Sequence, residues 1–457
     1  MPNKKLIYTL FISAIIIGGC KSGSNPELNK MRDHTTYLQN LIDRAYKSKD
    51  RTVKITKGTY YISSLEVGPG ITLQGEKGVR FVKLPNSKKF SRMINTYNNQ
   101  YSYSSDSDSA PLRIENIHFD GNRVNQGKYR KYELEQQHMI FLSADRKKRG
   151  RLVAEIKNCF FEEGVADGIH VYTNVDVTIK NCKAMNVFRG GITAGGGNSK
   201  MHIEEFYAGG DVHKTGINFE VDGQSKFTKK DIDVHMKNVE LEGNFDLAIY
   251  GNFTGDSLIV HSYPFKLYAP SGKVRIKNSC FYGLNARNSS INFPHDVEFK
   301  TCTFIQDDFE TNSPTLLTIY NETSYKKSEN NLLRFINCKF QTQSGAIDQT
   351  AIRIMPDKLI GNNQTQLINC NIDKKFKNGI QLNSGGNLKV EESSISCKNA
   401  ISAKSGKGRF YKVTLEKNII PGNVNYINNA QNIITADKSY NFKELNKSKS
   451  ATKILLN

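Results

Sequence analysis

The sequence contains no tryptophan, only 11 prolines and 8 cysteines, and a single long apolar run. That run lies at the very start of the chain, which excludes a polytopic membrane protein. Acidic residues are the minority charge, with 44 Asp and Glu against 64 Lys and Arg in 457 residues. A mostly disordered chain is also excluded, because 38% hydrophobic and 10% aromatic residues are enough to form a core.

The first residues have the features of an export signal. A short basic start precedes an apolar stretch over residues 6–17, which is too short to span a bilayer comfortably. The following Ile17-Gly18-Gly19-Cys20 resembles the lipobox of bacterial lipoproteins, in which the Cys is lipidated and becomes the first mature residue. We therefore predict a signal peptide over residues 1–19, lipid attachment to the bacterial cell envelope at Cys20, and a tether over residues 20–34. An ordinary secretion signal or an N-terminal membrane anchor is the alternative.

The charge of the mature chain indicates an anionic partner. Removing the signal takes two lysines from the 64 basic residues, which leaves 62 against 44 acidic ones. A field of that sign attracts polyanions. An exported lipoprotein rarely meets nucleic acid, so we expect an acidic polysaccharide or an anionic cell surface. A solvated lysine-rich surface without a partner is the alternative.

One phrase recurs along the chain: two apolar residues with a spacer between them, a second spacer, an Asn or its substitute, and a further apolar residue. With the Asn as the mark, the shortest steps between copies are 23 and 24 residues, and the longer steps carry insertions. The copies are Leu112–Asn116, Ala154–Phe160, Val177–Cys182, Ile203–Glu205, Val234–Asn238, Val274–Asn278, Val297–Cys302, Phe335–Cys338, Leu367–Cys370 and Val390–Ser393.

The alternation within each copy has period two, which is typical of a β-strand with one buried face. A unit this short cannot bury its apolar face alone, so neighbouring units must stack. An Asn that points inward at a bend would bond the next turn and satisfy buried polar groups. The repeat therefore predicts an all-β fold, a parallel β-helix over residues 35–410, with residues 411–457 as a C-terminal cap or tail.

Residues 36–46 have a helical pattern instead. The apolar stripe of this segment consists of Tyr37, Leu38, Leu41, Ile42 and Ala45. A helix with one apolar stripe is suited to covering the exposed first turn of a β-helix, and we predict that role for it. Residues 53–84 would form the opening turns.

Seven cysteines remain after Cys20, and most of them follow the Asn of the phrase. An odd number at one repeating position argues against a disulfide framework, even in an oxidising compartment. We therefore expect buried free thiols stacked in successive turns. No set of residues has the spacing of zinc ligands.

Four segments carry a family resemblance. Residues 36–45, followed by Lys57–Ile62 and Ile71–Gly75, resemble the opening of pectate-lyase-type right-handed parallel β-helix proteins, and Ile117–Arg123 is similar to their next element. The resemblance covers about residues 36–410 and implies a right-handed β-solenoid with an N-terminal capping helix. Members of this superfamily include polysaccharide lyases, glycoside hydrolases, uronan epimerases and phage tailspikes, so the fold does not settle the reaction.

Three turns in the first half of the repeat are in register. Gly-Ile pairs recur at Gly168-Ile169, Gly191-Ile192 and Gly216-Ile217, in steps of 23 and 25 residues, and Ala248-Ile249 is a plausible fourth. Neighbouring parallel strands lie about 4.8 Å apart, so equivalent positions form columns. If the Ile side chains point inward, the outward columns are His170, Thr193, Asn218 and Tyr250, and then Tyr172, Gly195, Glu220 and Asn252.

The glycines of these columns would leave a shallow trough, with Asp167, Arg189 and Lys214 at its near edge. A carboxylate, a guanidinium, an amine, an imidazole and a phenol together are what a site for a sugar acid needs. We therefore predict catalytic roles for Asp167, His170, Arg189, Lys214 and Glu220, and substrate binding by Tyr172, Asn218, Asp222 and Tyr250. For each of these residues the alternative is a structural role without function. Asp222, for example, stands before Gly223 and is equally a turn residue.

Two enzymatic mechanisms compete. In a lyase, a base removes the proton next to a uronate carboxylate while a cation neutralises that carboxylate. Arg189 suits the neutralising role because its charge is permanent, and Lys214, His170 or Tyr172 would be base and acid. A uronan C5-epimerase would use nearly the same groups.

In a glycoside hydrolase, two carboxylates must flank the scissile bond. Asp167 and Glu220 lie two turns apart, about 10 Å along the axis, near the upper limit for an inverting pair. The segment Asp167–His170 resembles the pectin hydrolase segment with the first acidic residue, but Phe188–Gly191 stands where that family has two adjacent Asp. The basic charge favours the lyase, and a non-catalytic glycan-binding lipoprotein is the alternative from another class.

A basic loop precedes the trough. Its charged and aromatic residues are Lys128, Tyr129, Arg130, Lys131, Tyr132, Arg146, Lys147, Lys148, Arg149 and Arg151. We interpret this loop as a basic wall that guides an anionic chain, with a solvated loop as the alternative. The partners predicted overall are an acidic polysaccharide and, through the lipid, a membrane, but no nucleic acid. No cofactor is predicted; calcium is left open as an alternative, although no motif indicates it.

Overall fold

Nearly all of the regular secondary structure in the described residues consists of β-strands, most of which alternate between more buried and more exposed side chains. A computed structural model describes residues 32–88, 90–97, 110–127, 134–144, 150–210, 216–220, 232–261, 265–283, 289–292, 295–306, 315–320, 331–343, 349–355, 364–383, 386–403, 411–426, 433–445 and 452–456. The compact unit spans Asp33–Asn457. The unit Met1–Arg32, which includes the predicted lipid site Cys20, lies outside the described residues except for Arg32.

The described strands form two sheets, and their pairings are parallel. The larger sheet has 26 strands: β1 (Thr52–Ile55), β2 (Gly58–Ile62), β4 (Thr72–Gly75), β5 (Val79–Lys83), β7 (Leu112–Glu115), β8 (His118–Asp120), β10 (Leu152–Lys157), β11 (Phe160–Glu162), β13 (Val175–Met185), β15 (Ser199–Gly209), β17 (Ile232–Leu241), β19 (Phe253–Asp256), β20 (Ile259–His261), β22 (Val274–Lys277), β23 (Cys280–Tyr282), β25 (Asp296–Lys300), β26 (Thr303–Gln306), β28 (Leu332–Ile336), β29 (Lys339–Thr342), β31 (Gln364–Ile368), β32 (Asn371–Ile372), β34 (Gly386–Glu391), β35 (Ser394–Ile395), β37 (Tyr411–Glu416), β39 (Ile433–Ala436) and β41 (Lys453–Leu456).

The smaller sheet has 15 strands: β3 (Leu65–Glu66), β6 (Ile94–Asn95), β9 (Ile140–Leu142), β12 (Asp167–Val171), β14 (Gly190–Ala194), β16 (Ile217–Phe219), β18 (Phe245–Ala248), β21 (Phe265–Tyr268), β24 (Ser289–Asn292), β27 (Thr315–Tyr320), β30 (Thr350–Met355), β33 (Asn378–Leu382), β36 (Asn399–Ala403), β38 (Asn423–Tyr426) and β40 (Phe442–Glu444). Each turn of the chain adds strands to both sheets, and each strand pairs with its equivalent one turn away. The predicted right-handed parallel β-helix is thereby confirmed.

The Asn residues of the repeat form the corner within the larger sheet. Asn116, Asn158 and Asn181 have the left-handed backbone conformation, with φ of 60°, 54° and 50°, which Asn adopts more readily than most residues. The expected ladder exists, because the amide of Asn158 donates to Asn116 at 3.0 Å and that of Asn181 to Asn158 at 2.8 Å. Its direction was predicted wrongly: the left-handed turn sends the side chain into solvent and the next residue into the core.

The cysteines behave as predicted. The buried ones are Cys159, Cys182, Cys302, Cys338, Cys370 and Cys397. Cys280 is partly exposed, and every described cysteine is a free thiol. Register pairs the strands around them, so that Cys302, Cys338 and Cys370 occupy equivalent places in successive turns.

Stacked side chains fill the space between the sheets. Phe281 is completely buried, and its ring centroid lies 5.1 Å from that of Phe265 and 5.2 Å from that of Phe304. The ring centroids of Phe245 and Phe299 lie 5.9 and 6.0 Å from that of Phe281. Phenylalanine bridges consecutive turns here because one ring is long enough to contact the layer above and the layer below.

The predicted capping helix is present as α1 (Thr35–Lys47). Leu38 and Ile42 are buried against the first turn, and the Gln39 amide donates to the Glu66 carbonyl oxygen at 3.0 Å. Tyr37 was wrongly placed on the apolar stripe, because its side chain is 57% exposed. The helix covers apolar side chains of the first turn that would otherwise face water.

The β-helix extends further than predicted. Past residue 410, β37 pairs with β34, β39 with β37 and β41 with β39, so the ladder reaches Leu456. The C-terminal cap or tail predicted over residues 411–457 thus contains strands that continue the ladder. Among the described residues, no helix has the length and apolarity that crossing a membrane would require.

The stacked phenylalanines indicate where a substitution should most reduce the stability of the fold. We expect Phe281→Ala to lower the free energy of unfolding by about 3–5 kcal/mol, because it leaves a cavity between two turns. Ile259→Ala is the control: Ile259 is 42% exposed, and its loss should change stability by less than about 0.5 kcal/mol. Urea unfolding followed by circular dichroism measures both. Similar losses in the two variants would contradict the importance of the stack.

Candidate functional site

Three consecutive strands of the smaller sheet build the site. Ile169 of β12, Ile192 of β14 and Ile217 of β16 are paired in register and buried, as the Gly-Ile spacing predicts. His170 and Thr193 follow on the outer face and pair side by side. Parallel pairing therefore brings residues 23 to 25 positions apart in the sequence into contact.

The fourth turn does not continue as predicted. Phe245 of β18, not Ile249, pairs with Ile217, so Asp246 lies beside Asn218 in the place expected for Tyr250. The physical reason is the core, where Phe245 is fully buried and stacks on Phe265 at 5.3 Å. Tyr250 therefore does not occupy the place beside Asn218 that was predicted for it.

Tyr250 packs elsewhere, with its ring 5.8 Å from that of Tyr268. Asn252, which was expected beside Glu220, instead donates from its backbone N–H to Asp233 of the larger sheet at 2.9 Å. Both residues therefore lie away from the His170 column.

Asp167 is buried beneath the outer face and does not stand at the edge of a trough as predicted. One carboxylate oxygen, Oδ2, lies 2.9 Å from His170 Nδ1, and the other, Oδ1, accepts a hydrogen bond from the Thr193 hydroxyl at 2.8 Å. Asp167 pairs with Gly190, where a Cβ would lie 2.8 Å from Thr193 Oγ1. Glycine at that place therefore makes the room in which the carboxylate meets its partners.

A second imidazole contacts the same carboxylate oxygen. His138 Nδ1 lies 2.9 Å from Asp167 Oδ2. The His138 ring is completely buried, with its centroid 4.3 Å from that of His170. Sequence reasoning missed His138 because it lies after an insertion and carries no Gly-Ile signal.

The charges of this group follow from its burial. Burial alone would raise the pKa of the Asp167 carboxyl, but the contacts with His138 and His170 outweigh it and hold that pKa well below its usual range. Burial and the neighbouring His170 lower the pKa of His138 to about 3. Asp167 is thus ionised and His138 neutral at neutral pH.

His170 connects this buried group to the surface. A Cβ on Gly195 would lie 3.2 Å from His170 Nε2, so the glycine leaves space beside that nitrogen on the outer face. The imidazole stacks on Phe141 at 5.3 Å, and the Tyr172 ring lies 6.2 Å away. His170 is therefore held at Nδ1 by a carboxylate and presents Nε2 outward, the arrangement of an oriented general base.

A cleft of about 500 Å³ lies over His170. It is lined by Arg92, Tyr97, Glu135, Gln136, Phe141, His170, Tyr172, Arg189, Thr193, Gly195 and Glu220. Six of these residues (His170, Tyr172, Arg189, Thr193, Gly195 and Glu220) belong to the predicted trough or its edge, whereas the aromatic wall of Tyr97 and Phe141 was missed. No repeat spacing in the sequence indicated this aromatic wall, because β6 and β9 come from turns with long insertions.

Arg189 is an ion-paired residue of the cleft wall. Its Nη2 lies 3.1 Å from Glu220 Oε2, and its Nε lies 3.8 Å from Asp167 Oδ1. The amide of Asn218 donates to the other oxygen of Glu220 at 2.6 Å. The guanidinium thus already contacts two carboxylates of the protein.

His138, Asp167 and His170 are the group among the described residues that could hold a metal ion, since their ligand atoms lie within 4.8 Å of one another. The fit is poor. His170 and the Thr193 hydroxyl already engage both carboxylate oxygens, and the Arg189 guanidinium opposes a further cation. Calcium also prefers six or more oxygen ligands, whereas this group offers one carboxylate.

Several predicted residues lie outside the described part of the chain. They are Lys214, Asp222 and, in the basic wall, residues 128–132 and 146–149. Arg151 is described, and its guanidinium pairs with Asp176 and donates to Asn198 at 2.8 Å on the larger sheet. The roles proposed for the remaining residues stay predictions.

No protein-family model matches the chain, and no curated protein sequence matches it. Solved structures do resemble it. The pre-mature gene product 12 of bacteriophage phi29 has a TM-score of 0.51 at 13% identity, over 91% of this chain and 55% of its own. The A-module of the mannuronan C-5 epimerase AlgE4 of Azotobacter vinelandii has a TM-score of 0.46 at 14% identity, over 92% of this chain and 99% of its own. A tailspike mutant of E. coli bacteriophage HK620 in complex with a hexasaccharide has a TM-score of 0.44 at 15% identity, over 90% and 74%. At identities this low, the likeness to the phi29 protein concerns the fold alone and shows no activity.

The neutral His138 predicts how stability depends on pH. The unfolded chain protonates this histidine below about pH 6.5, whereas the folded chain does so only near pH 3, so stability falls as the pH falls between these values. We expect His138→Gln to remove about 2 kcal/mol of the stability difference between pH 7 and pH 5. Urea unfolding at both pH values measures it. His261→Gln, at an exposed position, is the control, and an equal change in both variants would refute the assignment.

Proposed function

We propose that the chain is a carbohydrate-active enzyme that cleaves an acidic, uronate-containing polysaccharide by β-elimination. The observation that supports this best is the accessible Nε2 of His170 in a cleft, with Nδ1 held by the buried carboxylate of Asp167. Removal of a proton from a carbon acid needs such an oriented base. The stacked aromatic side chains beside it offer flat surfaces for sugar rings.

The reaction follows from these positions. His170 Nε2 takes the proton from the carbon next to the uronate carboxylate, and the ionised Asp167 stabilises the resulting imidazolium. The electron pair forms a double bond in the ring and expels the glycosidic oxygen on the neighbouring carbon. Tyr172, beside His170 in the cleft, supplies the proton to that oxygen. A guanidinium of the cleft neutralises the substrate carboxylate while negative charge develops on it.

The hydrolytic alternative receives less support. The predicted carboxylate pair requires Asp167 and Glu220 on either side of a glycosidic bond, but Asp167 is completely buried and bound by two imidazoles and a hydroxyl. Its low pKa also leaves it without the proton that a general acid must deliver. An epimerase would use the same base as the lyase and return a proton from the opposite face.

An ultraviolet assay tests the reaction directly. Mature protein incubated with a panel of acidic polysaccharides, with and without calcium, should give the absorbance of an unsaturated uronate. His170→Gln should lower the rate at least 100-fold, because general base catalysis contributes about that much. His261→Gln, at an exposed position away from the cleft, should leave the rate unchanged.

A rate unaffected by His170→Gln would refute the proposed base. If no absorbance appears, a reducing-end assay on the same samples detects hydrolysis, and glycan binding without turnover would identify a non-catalytic surface protein.

We further propose that the protein is exported and attached to the bacterial cell envelope through Cys20. The basic start, apolar stretch and small residues before Cys20 support this. In a bacterial host, the wild-type chain should fractionate with membranes and carry a lipid at Cys20, detected by mass spectrometry of the N-terminal peptide. Cys20→Ala should release it to the soluble exported fraction, whereas Cys280→Ala should not. An unmodified Cys20 in the mature chain would refute the anchor.

A further inference from the structure

Arg92 differs from Arg189 in forming no ion pair with a carboxylate of the described residues. Its guanidinium carbon lies 3.4 Å from the centroid of the Phe141 ring, and its Nη1 donates to Asn95 Oδ1 at 3.3 Å. Within the described residues it forms no ion pair, and its buried Nε has no hydrogen-bond partner. Arg189, in contrast, is paired with Glu220. Arg92 therefore brings to the cleft a positive charge that Glu66 offsets only at a distance, without an ion pair among the described residues.

A second cation lies directly behind Arg92. Lys83 of β5 is almost completely buried, and its Nζ donates to the carbonyl oxygen of Ser91, the residue before Arg92. In the described part of the chain, no carboxylate pairs with this amine. Burial, and then the charge of Arg92, lower the pKa of Lys83 to about 7.

The charged surroundings leave this pair of cations without a direct counter-ion. Among the described residues, Glu66, Tyr97 and His138 are titratable groups that face Arg92, and the Glu66 carboxylate accepts hydrogen bonds from the Asn95 amide at 2.9 Å. On the strand next to Lys83, Asp120 is bound to Arg80 at 2.7 Å. Across Phe141, the next titratable groups are His170 and His138, whose rings lie 5.3 and 5.6 Å from that of Phe141.

We propose that Arg92, backed by Lys83, is the subsite that binds a sugar carboxylate in this cleft, and that filling it makes Lys83 take up a proton from solvent. Naming a sugar carboxylate as the ligand rests on the proposed function; the anion site itself rests on the unpaired cations. A bound carboxylate supplies negative charge, which offsets the repulsion between the protonated Lys83 and the guanidinium of Arg92. The ammonium formed keeps its hydrogen bond to Ser91.

The sign of the pH effect follows. Above about pH 7 the amine of the free protein is neutral, so binding must add a proton, and affinity falls as the pH rises. Below that pH the amine is already charged, and this contribution to the pH dependence disappears. The expected slope between pH 7 and pH 9 is up to about tenfold in Kd per pH unit.

Monomeric D-glucuronate is the probe, with D-glucose as the neutral control, and binding is followed by calorimetry or NMR titration at pH 7, 8 and 9. The wild-type chain should bind glucuronate and not glucose, with the slope just stated. Arg92→Met should weaken binding at least tenfold, and Lys83→Met should retain binding with a flat pH dependence. Arg113→Met, on the larger sheet, should behave as wild type.

Each outcome decides a separate claim. Glucuronate that does not bind, or binds equally well to Arg92→Met, overturns the subsite. A slope that persists in Lys83→Met overturns the proton uptake by this lysine. Circular dichroism and melting temperatures establish that the variants are folded. Because binding is measured without turnover, a failed ultraviolet assay with Arg92-dependent binding overturns the lyase and leaves the subsite standing.

Discussion

The parallel hydrogen-bond ladder is the constraint on which the rest of this structure depends. It places equivalent residues of successive turns about 4.8 Å apart, whatever the length of the chain between them. Apolar residues such as Ile169, Ile192 and Ile217 consequently stack into one continuous core. The same spacing gathers the outward residues of three turns into one site, so the functional surface follows from the pairing that holds the fold together.

Much of the fold could be predicted from the sequence, because its two signals are local. Period-two alternation and a recurring Asn survive insertions, and both describe a single turn. The inward direction predicted for the Asn158 side chain was wrong. That direction depends on the left-handed backbone, which residue identity alone does not reveal. The register predicted for the fourth turn was wrong because the ring of Phe245, and not a Gly-Ile pair, determines that register.

The candidate site could be predicted only where turns have regular length. His170, Arg189 and Glu220 come from such turns and meet in the cleft. His138, Phe141 and Arg92 come from turns with insertions, where spacing no longer reveals which residues are neighbours. The burial of Asp167 was also beyond reach, since it depends on Gly190 in the adjacent strand leaving space for a carboxylate.

The helix α1 and the order of strand pairing have a consequence for how the chain acquires its structure. Each strand of the ladder pairs with one that precedes it by a turn, and α1 packs on the earliest of these turns. A chain that emerges from its amino end can therefore complete and cover its first layer before later residues exist. Every later turn then meets a finished edge of matching pattern, so ordering proceeds in one direction and each step closes only a short loop of chain.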